Sequence, residues 1–276
     1  MLYYKEFSYY YGDIIEINNK GEKIDNTIYT FDIESTSFFI LNNKIYPAVE
    51  YLNLTEKEQK ECIFGGNMYI WQFSINNIVY YGRTWKEFKI FLDKLEYYNP
   101  NKKILFIHNL SFEFQFLSSV FNFKNVMARK AHKVMHCLLE DYNIECRCTY
   151  LMSNSSLEEL PELFGLNVKK LVGNLDYTKL RHSKTKLTDK ELKYCEYDCL
   201  VVYAYIKKEL ETYKNVYNIP YTSTGHVRKE LREITQKDWE YKSSVKKAIN
   251  TNPHIYNLLL ESFMRWLYTC ELDIYR

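Results

Sequence analysis

In the stretch YTFDIESTSF, two carboxylates, Asp32 and Glu34, interrupt an otherwise apolar run. Strand side chains alternate faces, so residues two apart point the same way. Like charges that close repel, and neither belongs in an apolar sheet unless something positive lies between them. A second set occurs in HNLSFEFQFL, where Asn109, Phe112 and Glu113 fall at i, i+3 and i+4, on one face of a helix's first turns. A third is YCEYDCLVV, where Tyr194 and Asp198 are also i and i+4 in a helix whose other positions are apolar. An acid facing a core needs a partner. Asp32, Glu34, Glu113 and Asp198 have none in their local sequence. Oxygen-only ligands of this kind suit hard divalent cations such as Mg²⁺ or Mn²⁺. Two such ions about 4 Å apart stabilise both the attacking and the leaving oxygens of a phosphodiester. Tyr194, one turn before Asp198, is placed to orient the attacking water.

Each piece alone has a plain structural reading: an exposed strand edge, an Asn cap with aromatic packing, a surface Tyr–Asp pair. Their order and contexts together are far more specific. The elements that must position them follow from the pattern. IYTFDIE reads as a strand, with STSFFIL as its hairpin partner. MYIWQFSI and NIVYYGR form a second hairpin across Asn76–Asn77. TWKEFKIFLDKLEYY starts with a Thr cap and places Trp85, Phe88, Phe91, Leu92 and Leu95 at helical spacing. KILFIH suits a central strand, and NLSFEFQFLSSVF a helix with Asn109 at its cap. Strand segments follow around Val126–Met127, Val134–Leu139 and Ile144–Tyr150. SSLEELPELFG reads as a helix that closes before Gly165. The run from Thr188 to Tyr213 reads as a long helix with a capping box, Thr188 and Glu191. Strands followed by helices predict an α/β fold, a central mixed sheet flanked by helices. After Asn218 a loop leads into a helix with a basic face, Arg228, Lys229 and Arg232.

The 276-residue chain is long enough for one large domain with an appendage. Its net charge of +2 is close to neutral, so nucleic-acid contact is expected in a local groove and not over the whole surface. Seven cysteines, with no paired C-x-x-C spacing, read as free thiols and not as zinc ligands. MLYYKEFSYYYGD lacks the apolar core of a signal peptide, and no apolar run approaches the roughly 20 residues that span a bilayer. No membrane partner is expected. The expected location is the cytoplasm, that of the host cell for a phage or mobile-element gene.

The triple FDIES, HNLSFE and YCEYD resembles the three exonuclease motifs of the DEDD superfamily, of the subtype with a tyrosine in the third motif. More narrowly, it resembles the proofreading domain of protein-primed family B DNA polymerases from phages and linear plasmids. The match covers roughly residues 26–230. The resemblance implies an RNase H-like 3′–5′ exonuclease domain that removes mispaired single-stranded DNA 3′ ends with two Mg²⁺ or Mn²⁺ ions. By it, Asp32, Glu34, Glu113 and Asp198 are metal ligands and Tyr194 positions the water. Asn109 and Phe112 match positions that hold the 3′ end, with His108 and Ser35 flanking. SSLEEL resembles a Ser-Leu-x-x-apolar motif, which makes Ser156 and Leu157 single-strand ligands. A family lysine precedes a Gly-x-apolar-Asp-Tyr segment; here Val172 fills that place and Lys169 or Lys170 substitutes. The bland alternatives are a core Phe112, a satisfied strand-end His108, a Ser156 that only caps, and solvated lysines.

One residue departs from the pattern. The second motif normally ends in Asp, whereas here it is Glu113, whose extra methylene displaces the carboxylate by about 1.5 Å. The expectation is retained activity, lowered or shifted toward Mn²⁺, with inactivity as the alternative.

The expected organisation is an N-terminal arm (1–25), the exonuclease domain (26–214) and a mostly helical extension (215–276). No D-x-x-S-L-Y-P or Y-x-D-T-D motif of a polymerase palm is present. YNLLLESFM resembles the family, which then proceeds into Gly-Gly-x-Thr-His-Ala-Asn. RWLYTCEL, back-translated with one permitted codon choice and read one base later, gives Gly-Gly-Phe-Thr-His-Ala-Asn. The chain is therefore expected to be a truncated polymerase, with residues Arg265–Arg276 out of frame. A separate polymerase chain or a terminal protein is the implied further partner. The remaining alternatives are a free-standing DEDD nuclease acting on RNA or oligonucleotides, and a non-catalytic DNA-binding fragment.

Overall fold

A sheet with helices on both faces organises the protein. The structure, a computed structural model, describes residues 1–8, 10, 12–17, 21–130, 133–168, 175–176, 178–237, 240, 242–244 and 247. Lys169, Lys170 and the out-of-frame tail expected from Arg265 onward lie outside the described residues.

The strands are β1 (Leu2–Tyr3), β2 (Ile14–Glu16), β3 (Lys23–Asp25), β4 (Tyr29–Leu41), β5 (Lys44–Pro47), β6 (Ile63–Ile75), β7 (Ile78–Gly82), β8 (Lys103–Ile107), β9 (Phe123–Ala128), β10 (Val134–Leu139) and β11 (Ile144–Cys148). The helices are α1 (Ala48–Tyr51), α2 (Glu56–Glu61), α3 (Trp85–Tyr98), α4 (Leu110–Leu117), α5 (Thr149–Ser153), α6 (Leu160–Leu163), α7 (Asp189–Tyr213) and α8 (Ser223–Lys237). The main sheet runs β1-β7-β6-β4-β8-β11-β10-β9, with β5 also paired to β4. It is mixed, as expected: β4 pairs parallel to β8 and antiparallel to β6. Contacts divide the chain into two units, Met1–Ser223 and Thr224–Arg276. The first contains the eleven strands found among the described residues, including β1, which pairs with β7 at Leu2 and Tyr3. In the second, the described element is the helix α8.

Alternation along the central strands assigns the two faces. Tyr29, Phe31 and Ile33 of β4, with Leu105 and Ile107 of β8, pack with Phe88, Phe91, Leu92 and Leu95 of α3 and with Leu110 and Leu117 of α4. Ile104 and Phe106 of β8 point the other way and pack against Val201, Val202, Tyr205 and Ile206 of α7. That is why Ile104–Ile107 is an unbroken apolar run: both of its faces are covered, while the buried Lys103 at the strand's start is ion-paired with Glu96 (2.8 Å). Each such buried side chain contributes on the order of 1.5–3 kcal/mol. Helices α3 and α7 begin where the sequence marks them, each with a reciprocal capping box, Thr84 with Glu87 and Thr188 with Glu191.

Three expectations are corrected. STSFFIL is not a hairpin partner of IYTFDIE but its continuation in one 13-residue strand, β4. No turn residue separates the two halves; the reversal comes at Asn42–Asn43, both left-handed (φ 50 and 61), which joins β4 to β5. Tyr150 does not extend β11 but lies in α5. SSLEELPELFG yields only the four-residue α6, with Pro161 in its first turn and Gly165 left-handed (φ 61) beyond its end.

Candidate metal centre

The sheet parts at Asp32. On one side β4 stays paired with β6 along most of its length; on the other, β8 pairs only with Tyr29, Thr30 and Phe31. The last pair is Phe31–Ile107, so Asp32 is the first residue of β4 past the end of β8. There the chain turns away through His108 and Asn109 into α4. Asn109 takes a left-handed conformation (φ 58, ψ 47) and makes no side-chain cap bond. It occupies the expected cap position but does not act as a side-chain cap. Clefts commonly open at such carboxyl ends of strands.

Helix α7 crosses the opposite side of β4. The Thr30 hydroxyl donates to the Cys199 carbonyl (3.2 Å), and because alternate residues share a face, Asp32 and Glu34 point toward α7 as Thr30 does. Tyr194 and Asp198 lie on α7, one turn apart and both buried. Carboxylate oxygens of Asp32, Glu34 and Asp198 lie within 4.8 Å of one another. Glu113 approaches from the first turn of α4, 3% exposed, its Oε2 buried with no hydrogen-bond partner.

Asp32, Glu34, Glu113, Asp198 and Tyr194 line one cleft of about 590 Å³, together with Ser35, His108, Asn109, Phe112 and Leu157. Among the described residues, no lysine or arginine lines it. Burial pushes the Glu113 carboxyl well above the usual range, and the charges of Asp32 and then Glu34 push it further. Burial likewise raises the thiol of Cys195, which feels Glu34, Asp32 and Asp198. Negative charge is thus concentrated here, with no lysine or arginine among the described lining residues to offset it. Hard divalent cations fit such a donor set: all-oxygen ligands, crowded, with a buried carboxylate oxygen left unbonded.

The cleft walls differ in character. Phe112 is 39% exposed, against the core role open to it in the sequence, and packs on Phe116 with ring centroids 5.3 Å apart. His108 Nδ1 is 3.1 Å from the Thr149 hydroxyl. Ser156 is exposed and not part of the cleft lining; its N–H and hydroxyl both donate to Glu159 (2.9 and 2.8 Å), as a cap does. Ser37 and Ala48 also line the cleft without having been singled out in the sequence. Gln72, the cross-strand partner of Asp32, was missed too: it is fully buried, beside the Cys195 thiol. Two-residue alternation on MYIWQFSI was the available signal.

A mixed α/β sheet with an acidic cleft at the parting of its central strands defines the class of domain. No family model and no curated protein matches the sequence. Among solved structures, the fold is similar to Phi29 DNA polymerase complexed with primer-template DNA, at TM-score 0.53 and 14% identity, over 76% of this chain and 35% of that one. It is also similar to the orthorhombic crystal form of Phi29 DNA polymerase, at TM-score 0.52 and 14% identity, over 76% of this chain and 34% of that one. The chain spans about a third of the length of these polymerases. Among the described residues, no helix is long and apolar enough to cross a membrane.

Proposed function

We propose that the chain is a metal-dependent 3′–5′ exonuclease acting on single-stranded DNA ends, the proofreading part of a protein-primed family B DNA polymerase. One observation carries the reading: Asp32, Glu34 and Asp198, from two distant segments, bring carboxylate oxygens within 4.8 Å of one another in a cleft that Glu113 and Tyr194 share. The likeness to Phi29 DNA polymerase, one form of which is complexed with primer-template DNA, supports it at the level of fold.

In this reading Asp32, Glu34, Glu113 and Asp198 would hold two divalent cations. When bound, these would supply the positive charge that stabilises both oxygens of an in-line displacement at phosphorus. The chain's own groups do the rest. The exposed Phe112 face takes the terminal base by stacking, which is sequence-tolerant. Leu157 supplies apolar contact, and Ser35, His108 and Asn109 supply polar contacts to the last nucleotide. The Tyr194 hydroxyl orients the water whose oxygen attacks phosphorus. The bond from phosphorus to the 3′ oxygen of the preceding nucleotide breaks, that oxygen takes up the proton the water gives up, and a nucleoside 5′-monophosphate leaves. Unpaired ends enter more readily than paired ones because no unpairing cost is incurred.

The test is release of mononucleotides from 5′-labelled single-stranded DNA with Mg²⁺ and with Mn²⁺, compared with Asp32→Ala. Stepwise shortening that needs metal and disappears in the variant is expected. Shortening that persists in Asp32→Ala or in excess chelator would refute the reading. An RNA strand of the same sequence run alongside should be the poorer substrate; an RNA preference would replace DNA in the proposal.

A further inference from the structure

A second cleft, of about 680 Å³, is lined by Pro47, Lys179, Arg181, Lys186, Lys190 and Glu191, among others. It adjoins the acidic one. Pro47 lines the second cleft while its chain neighbour Ala48 lines the first. Both also rest on β4. Thr36 follows Glu34 on the same face, roughly 7 Å along the strand. Its hydroxyl donates to the Lys179 carbonyl (3.1 Å) and accepts from the Arg181 N–H (3.2 Å). The loop carrying Lys179 and Arg181 is thereby bonded one pleat beyond the acidic centre, and Lys190 follows it in the first turn of α7.

The charges of this second cleft do not cancel. Four cations, Lys179, Arg181, Lys186 and Lys190, face two acids, Asp176 and Glu191. Arg181 donates to Glu191 (2.7 Å), which also accepts from Thr188 (2.8 Å), and Lys179 lies 3.3 Å from Asp176. Both acids are therefore already engaged. Lys186 and Lys190 are exposed, and among the described residues neither has an ion-pair partner. Without its cations, a cleft lined by carboxylates repels a phosphodiester strand, so metal-independent attraction must come from nearby. With a net charge of only +2, the whole surface cannot supply it.

We infer that the Lys179–Lys190 cleft is the track for the strand's backbone phosphates, with Lys186 and Lys190 as its phosphate contacts. This rests on the exonuclease reading for the identity of the strand. Lysines act there as point charges on phosphate, without reading sequence.

The experiment compares the parent with Lys186→Ala/Lys190→Ala. Binding of fluorescent oligothymidylate is measured by anisotropy across a NaCl series with metal chelated. Hydrolysis of oligothymidylate and of a thymidine dinucleotide is then measured with Mn²⁺. Two lost phosphate contacts should weaken binding about tenfold and flatten the log–log salt slope by about 1.4. The preference for the long substrate over the dinucleotide should fall in step. Affinity and slope equal to the parent's, or a parent that does not bind the oligonucleotide, would overturn the inference. Lysine-dependent binding with no hydrolysis of either substrate would instead sink the exonuclease reading and leave the phosphate track standing.

Discussion

Asp32 on β4 and Glu113 on α4 face one cleft from different elements, and the Glu113 carboxyl is pushed up first by burial and then by the charge of Asp32. The two acids repel, and no described lysine or arginine of the cleft lining offsets them. Removing one acid relieves that repulsion; adding a divalent cation relieves it without a mutation. In chelator, Glu113→Gln should therefore melt higher than the parent, by about 2–4 °C for each kcal/mol of repulsion relieved. Mn²⁺ should raise the parent's Tm, and raise that of Glu113→Gln much less. Differential scanning fluorimetry checks both; equal metal responses would remove Glu113 from the ligand set.

Tyr194 tests the chemistry apart from the ligands. Tyr194→Phe keeps the ring in its buried place on α7 and deletes only the hydroxyl. If that hydroxyl orients the water, kcat should fall about a hundredfold with KM little changed, since misplacement of a reacting group costs on that order. A KM increase at constant kcat would assign Tyr194 to binding the end instead.

Phe112 carries the stacking prediction. It is too exposed for its loss to empty the core, so Phe112→Ala should leave Tm within about 1 °C. Loss of one base stack, worth about 1–3 kcal/mol, should raise KM for single-stranded DNA roughly tenfold or more. An unchanged KM would place the terminal base elsewhere.

Glu145 predicts a pH dependence remote from the cleft. Burial alone would raise its carboxyl, but the Arg147 charge and bonds from Lys102 and Tyr221 overcome this and hold it at about 2. The buried Arg147 guanidinium bonds Glu145 (2.7 Å) and the carbonyls of Val216, Tyr217 and Ile219 (each 3.2 Å). A depressed carboxylate pKa stabilises the fold above the unfolded value of about 4.3, and that stability is lost as pH falls toward 2. Glu145→Gln should thus melt well below the parent at pH 7, by an amount on the order of 3 kcal/mol, and the gap should narrow progressively below pH 4.5. A gap independent of pH would deny the ionised pair.

Much of the site was legible because it depends on local periodicities. The two-residue spacing of Asp32 and Glu34, and the four-residue spacing of Tyr194 and Asp198, survive whatever the tertiary fold does. The reciprocal caps at Thr84 and Thr188 were legible for the same reason. What escaped depended on distant chain. β4 looked like two strands because β composition carries no length; the decisive Asn42–Asn43 turn was a signal of the same kind as Asn76–Asn77. Phe112 sits at a helical spacing that reads as core, and only the ending of β8 leaves it at an opening. The second cleft follows no periodicity: Lys179 and Arg181 are bonded to β4 through Thr36, a contact invisible in sequence. Arg147 stands between two cysteines, and its bonds to Val216, Tyr217 and Ile219 join segments some seventy residues apart, which no local pattern marks.

The mouth of the acidic cleft exists because β8 stops one residue short of Asp32. A longer β8 would zip the gap with main chain and shut substrate out, however perfect the acids beneath. The stop lies next to a backbone twist that asparagine tolerates and β-branched residues resist, at Asn109. Access is therefore governed partly by stereochemistry at a position whose side chain could be blameless. A valine there would act as a closed door before it acted as a missing contact.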